Sequence, residues 1–165
     1  MRPGVVFGAV TLMALHFVFR VGFGWQGWSP DLSTLGLLVL AREVRTGTSA
    51  GAGFCLGLLE DSLSSLAFGA STMAMTVVAA VGGRTRDLFE GDSLLFVTSY
   101  LFIGKWGRDL IQWVMTAPEL REPLQRALLV DSVVASTYVA VVGLVLVRLV
   151  GNWLKTRTRS IGGVT

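Results

Sequence analysis

One cysteine, one histidine and a charged fraction of only 15% are what this 165-residue chain is short of. Each shortage closes a class of explanation. A lone thiol, Cys55, excludes an intrachain disulfide, and with His16 as the only imidazole no Cys/His zinc centre can be assembled. Both residues lie in apolar surroundings and read as packed core residues, not as nucleophile or ligand. So few charges beside 52% hydrophobic residues leave too little polar surface for a water-soluble globule of this length. The formal charge is +3, yet Lys and Arg are scattered between apolar runs and form no basic stripe, so no nucleic-acid partner is expected. Also missing are a serine, histidine and acid set, a metal-ligand cluster and a phosphate loop. The sequence therefore reads as non-enzymatic, with no catalytic residue, cofactor or metal.

What is there is hydropathy. A mean of +0.64 marks an integral membrane protein. The expected fold is all-α: a polytopic bundle of about six transmembrane helices forming one domain over residues 1–154, followed by a basic, solvated tail at 155–165. Val5 to Phe19 resembles a signal peptide in length but lacks a small-x-small cleavage pattern, so it reads as a retained first helix running on to about Trp25. Trp25 and Trp28 suit a membrane boundary, before a break from Gly27 to Pro30. Leu32 to Ala41 is short, covering about half of a hydrocarbon core of roughly 30 Å; it is either tilted into Arg42 to Arg45 or a partial span packed inside the bundle. Ser49 to Leu59, Leu66 to Val81, Leu94 to Met115 and Ala127 to Val150 complete the set. With both termini on one side, eight positive residues (Arg2, Arg42, Arg45, Arg84, Arg86, Lys155, Arg157 and Arg159) share that face and three (Arg20, Arg121 and Arg126) the other. The positive-inside rule then makes both termini cytoplasmic.

Three groups of residues stand out. Ser49, Gly53 and Gly57 recur every four residues, leaving one helix face almost without side chains, so another backbone can approach closely from this chain or another copy. Lys105, Arg108, Asp109 and Gln112 fall at i, i+3, i+4 and i+7, on one face of an otherwise apolar helix that cannot face lipid cheaply. Lys105 and Asp109 can pair along that helix, leaving Arg108 to seek Asp131 on the sixth helix or a carboxylate elsewhere. Glu60 and Asp61 end the glycine-rich segment, where an ionised side chain must sit at an interface, in a protein interior or against partners. As neighbours on a helix they point about 100° apart and do not converge on one substrate atom. Ser62, Ser64 and Ser65 read as caps for the next helix. Arg84, Arg86 and Asp87 read as cytoplasmic-side charges that can meet anionic lipid.

These residues resemble the rod shape-determining MreD family of bacteria. The likeness rests on Ser29-Pro30-Asp31-Leu32 opening a short helix, the basic break at Arg42 to Arg45, Gly53-Phe54-x-x-Gly57-Leu58-Leu59-x-Asp61, and Phe68-Gly69 opening the next span. It implies a fold like the substrate-capturing subunits of energy-coupling-factor vitamin transporters. It also implies a scaffold role in the inner membrane, in the cell-elongation machinery that positions peptidoglycan synthesis. The implied partners are MreC, bound directly through its transmembrane helix, and beyond it MreB, RodA and its transpeptidase. Pro30, Asp31, Gly53, Gly57, Asp61 and Gly69 carry over as structural and partner-facing positions, with either the glycine face or the fifth-helix stripe expected to receive the MreC helix, beside a homodimer mate if one forms. The competing expectation is a vitamin-binding transporter subunit, in which Lys105, Arg108, Asp109 and Gln112 would line a ligand cavity.

Overall fold

The computed structural model describes residues 3–22, 31–63, 68–85, 94–121 and 123–161. Arg2, Trp25, Gly27, Trp28, Ser29, Pro30, Ser64, Ser65, Leu66, Arg86 and Asp87, named above, lie outside the described residues. Among those described, the chain is all-helical. Six α-helices follow in order: α1 Pro3–Gly22, α2 Leu32–Glu43, α3 Thr46–Ser62, α4 Ala70–Thr85, α5 Leu94–Met115 and α6 Ser132–Ile161. A 3₁₀ turn at Pro118–Leu120 and a π-helical segment at Gln125–Asp131 join α5 to α6.

Helix α5 has the bounds that hydropathy suggested. Others differ where polar or small residues sit at helix ends, because hydropathy registers apolar length while the backbone needs only helical geometry and satisfied ends. Thus α3 begins at Thr46 and ends at Ser62, and α4 runs from Ala70 to Thr85. Helix α6 continues to Ile161, through most of the basic segment read as a solvated tail.

Helix α2 is the centre. It packs against α1, α3, α4, α5 and α6, and nine of its twelve residues are buried. Of the two expectations for this short segment, enclosure within the bundle is the one realised. Its leucines enter two apolar clusters, Leu35 and Leu38 with Val78, Val97, Leu101 and Val139, and Leu37 and Leu40 with Ala9, Met13, Met75 and Ala79.

Close approach at the crossings comes from glycine. A Cβ at Gly36 would fall 2.8 Å from the Ala9 carbonyl of α1, and one at Gly143 of α6 would fall 2.9 Å from Leu35 Cδ1. The tightest pair is α3 on α4. A Cβ at Gly53 would lie 2.5 Å from the Met75 carbonyl, and one at Gly57 would lie 2.7 Å from the Ser71 carbonyl and 2.8 Å from Thr72 N. Ser49, one turn before Gly53, is fully buried and donates to the Ala79 carbonyl at 2.6 Å. Gly47 and Gly51, on the outward side of α3, have open space where a Cβ would go.

Two helical stretches, Pro3–Val21 and Gln125–Leu146, are long and apolar enough to cross a membrane. At 22 residues α5 is also long enough, but it carries Lys105, Arg108 and Asp109. The start of α6 has a local cause. Its π turns leave the Leu128 carbonyl accepting from Trp106 Nε1 at 3.2 Å, and the Ala127 carbonyl accepting from Ser132 Oγ at 2.8 Å.

Candidate functional site

The polar stripe of α5 faces the bundle interior. Arg108 is 7% exposed and Lys105 6%. Arg108 splits its guanidinium between two carboxylates remote in sequence, Nη1 on Asp31 Oδ2 and Nη2 on Glu60 Oε2. Lys105 pairs with Asp109 one turn away and lies 3.3 Å from Asp31 Oδ2. The geometry ties the entrance of α2 and the end of α3 to the middle of α5. A planar fork suits this bridging better than an ammonium would.

Asp31 is held by the helix it opens. As N-cap of α2 it accepts from Thr34 N at 3.0 Å and from Thr34 Oγ1 at 2.8 Å, which satisfies an otherwise unpaired amide of the first turn. Ser33 Oγ lies 2.5 Å from Glu60 Oε1 and 2.8 Å from Asp31 Oδ1, so its one proton serves either carboxylate. Gln112 extends the stripe by reaching Ser71 Oγ at 3.4 Å.

Glu60 and Asp61, adjacent in sequence, go to different tasks. Glu60 turns to Arg108 and Ser33. Asp61, 1% exposed, turns to the start of α4, accepting from Gly69 N and Thr72 N at 2.9 Å each, Ser71 N at 3.1 Å and Thr72 Oγ1 at 2.6 Å. A carboxylate at a helix N-terminus is favoured by the helix dipole as well as by these bonds. The cap of α4 is therefore Asp61, reaching across from α3, where the serines that follow it had been expected to serve. Ser62 instead bonds the Leu59 carbonyl of its own helix. Gly69 takes φ +97°, the left-handed conformation that glycine adopts without strain, and this brings its amide onto Asp61. Replacing Asp61 by alanine should destabilise the fold by about 2 kcal/mol or more, since four donors, three of them buried, lose their acceptor. Thermal unfolding in detergent checks it, with Asp61→Asn expected to fall between the two.

Several expectations change here. Asp131 is exposed on the π segment and does not serve Arg108, because Arg108 points into the bundle, where its carboxylates are Asp31 at the start of α2 and Glu60 at the end of α3, while Asp131 faces outward. Cys55 is exposed and not a core residue; the inward face of α3 is Ser49, Gly53, Gly57 and Glu60, which leaves position 55 outside. His16 is buried, but beside a carboxylate, with Nε2 at 3.8 Å from Glu60 Oε1. The glycine face is filled by α4 of the same chain and the α5 stripe by Asp31 and Glu60, so neither is open to a partner helix in this arrangement. Pro30 lies outside the described residues.

His16, Asp31 and Glu60 place one donor atom each within 4.8 Å of one another, the spacing of a metal site. Arg108 and Lys105 already supply positive charge to both carboxylates, and a divalent cation there would be forced against the guanidinium. The donor set is thus better suited to ion pairing than to a metal. Sequence reasoning missed Asp31 as a counter-ion, and missed Ser33, Thr34 and His16 as participants. The available signal was Asp-Leu-Ser-Thr before an apolar run, which marks a helix N-cap.

Compared with family models, curated proteins and solved structures, the chain gave no significant match.

Proposed function

We propose that the chain is a multi-pass scaffold of the bacterial inner membrane, of the MreD type, which works by holding the transmembrane helix of MreC in place within the cell-elongation assembly. The observation that carries this reading is the use made of the residues behind the resemblance. Asp31 caps α2 and pairs with Arg108, Gly53 and Gly57 seat α3 on α4, and Asp61 with Gly69 opens α4. A set of residues spent on architecture suits a protein whose task is to present surfaces.

Large apolar side chains stand outward on every helix except α2, among them Phe7 at 76% exposure, Leu95 at 80% and Val134 at 65%. In water such faces would be a liability, whereas lipid covers them without cost, which favours a membrane setting for the bundle; six spans with both termini cytoplasmic are the part of the proposal that rests on the distribution of Lys and Arg. Capture of a partner helix then falls to outward faces such as those of α1 and α6, the two long apolar stretches that stay mostly unburied. Their affinity comes from shape and dispersion, because lipid leaves no hydrophobic gain between helices. The test is coexpression with tagged MreC and with an energy-coupling ATP-binding cassette module. Retention of MreC through detergent purification is expected. Retention of the cassette module without MreC would contradict the proposal and favour a transporter subunit.

A further inference from the structure

Helix α6 outlasts both its own apolar run and the helix beside it. The run closes at Val150, whereas the helix continues unbroken to Ile161. Trp106 of α5 reaches Leu128, and Leu101 closes over Gly143, so α5 and α6 are antiparallel. Counting on by register brings Leu94, the first residue of α5, level with Val150. Gly151 to Ile161 therefore runs about 16 Å past the start of α5.

The charge carried by this stretch is of one sign. From Ser132 to Thr165 the sequence has Arg148, Lys155, Arg157 and Arg159 and no Asp or Glu. By helical periodicity Arg148, Lys155 and Arg159 fall at i, i+7 and i+11, on one face, and Arg157 falls on the other side. Charges elsewhere on the same side do not cancel them. With both termini cytoplasmic, the acids of that side are Glu43, Asp87, Glu90 and Asp92, and Arg2, Arg42, Arg45, Arg84 and Arg86 already outnumber them before the cations of α6 are added.

A helix also fixes the height of each cation. Measured along the axis from Val150, Lys155 to Arg159 lie about 8 to 14 Å beyond the apolar run. The headgroup layer is about 5 to 7 Å deep, so these residues stand within a Debye length, about 10 Å at 0.1 M salt, of the leaflet surface. Trp153, between the run and the cations, is a residue suited to that layer. Charge complementarity asks for an anionic partner, and the height selects the membrane itself.

We propose that α6 past Val150 is an anionic-lipid contact, in which Arg148, Lys155, Arg157 and Arg159 gather acidic phospholipid headgroups of the cytoplasmic leaflet around this helix. The attraction is to headgroup charge, so it is screened by salt. This rests on the membrane setting and orientation of the proposed function and is independent of MreC.

The test is the lipid selectivity of the full chain, reconstituted in phosphatidylcholine vesicles that carry a trace of spin-labelled phosphatidylglycerol or of spin-labelled phosphatidylcholine. In the wild type the motionally restricted fraction should favour phosphatidylglycerol at least about twofold, and the preference should fall toward unity in 1 M salt, where the Debye length is about 3 Å. The triple variant Lys155→Gln, Arg157→Gln, Arg159→Gln should lose most of the preference, and Lys155→Arg, Arg157→Lys, Arg159→Lys should keep it. Equal restriction of the two lipids by the wild type overturns the proposal, as does a preference that the glutamine variant retains. A glutamine variant that keeps the lipid preference and loses MreC would assign these cations to a protein surface and overturns it too. If that variant does not fold, the salt response of the wild type decides. A chain that fails to float with the vesicles overturns the membrane setting, and this contact with it, before any lipids are compared.

Discussion

Replacing Arg108 by alanine should leave little folded protein in the membrane. The substitution strips Asp31 and Glu60 of a shared counter-ion, and among the described residues it leaves Glu60, 2% exposed, with Ser33 as its hydrogen-bond donor. Removing one member of a buried ion network costs about 3–5 kcal/mol, a large part of the stability of a domain of this size. Fluorescence-detected gel filtration measures the loss. Arg108→Lys should recover only part of it, because one ammonium cannot bridge two carboxylates that the guanidinium fork reaches from opposite ends.

Gly57→Leu is the second large effect expected, and it works through shape. Even a methyl group at this position would enter the van der Waals shell of Ser71 and Thr72 backbone atoms, which cannot swing aside as a side chain can. The helices would have to separate, and with them the Asp61 cap, whose acceptor atoms are placed by the same contact. Overpacking commonly costs about 1–3 kcal/mol, and the loss of the cap adds to it. Gly51→Leu is the matched control, since nothing lies within 4 Å of a Cβ there. It should fold normally. If it does and yet fails to retain MreC, the outward side of α3 is the contact; if Gly57→Leu also folds normally, the α3–α4 crossing has been misassigned.

How much of this was legible in the sequence depended on the range of the interaction. The face shared by Lys105, Arg108, Asp109 and Gln112 follows from helical periodicity alone, as does the bare face at Ser49, Gly53 and Gly57. Both lie within one helix, where spacing determines direction. The partners of those faces were not legible. Arg108 meets Asp31 and Glu60 across separations of 77 and 48 residues, which no local pattern encodes, and Asp131 was the natural guess only because α6 follows α5 in the chain. Asp61 was misjudged for a similar reason. Capping was sought in the residues nearest α4, whereas the carboxylate folds back from the preceding helix. The continuation of α6 to Ile161 escaped notice because the span was bounded where hydropathy falls, at Val150, and the helix runs on through polar residues.

Glycine and charge meet in one unit. Gly53 and Gly57 let α3 lie on α4, this places Asp61 over the first amides of α4, and the next residue back, Glu60, is thereby turned toward α5. Such a dependence chain explains why residues of unlike chemistry cluster in one short segment.

The central claim is that the buried charges serve architecture and that capture of partners occurs elsewhere. The most direct measurement is on the triple variant Asp31→Asn, Glu60→Gln, Arg108→Met, which removes both signs of charge together while keeping approximate volume. Its thermal stability in detergent and its retention of MreC are measured side by side with the wild type. The account predicts a folded protein that still copurifies with MreC, more stable than Arg108→Ala. A folded triple variant that no longer holds MreC would contradict it, placing the charges themselves at the working site.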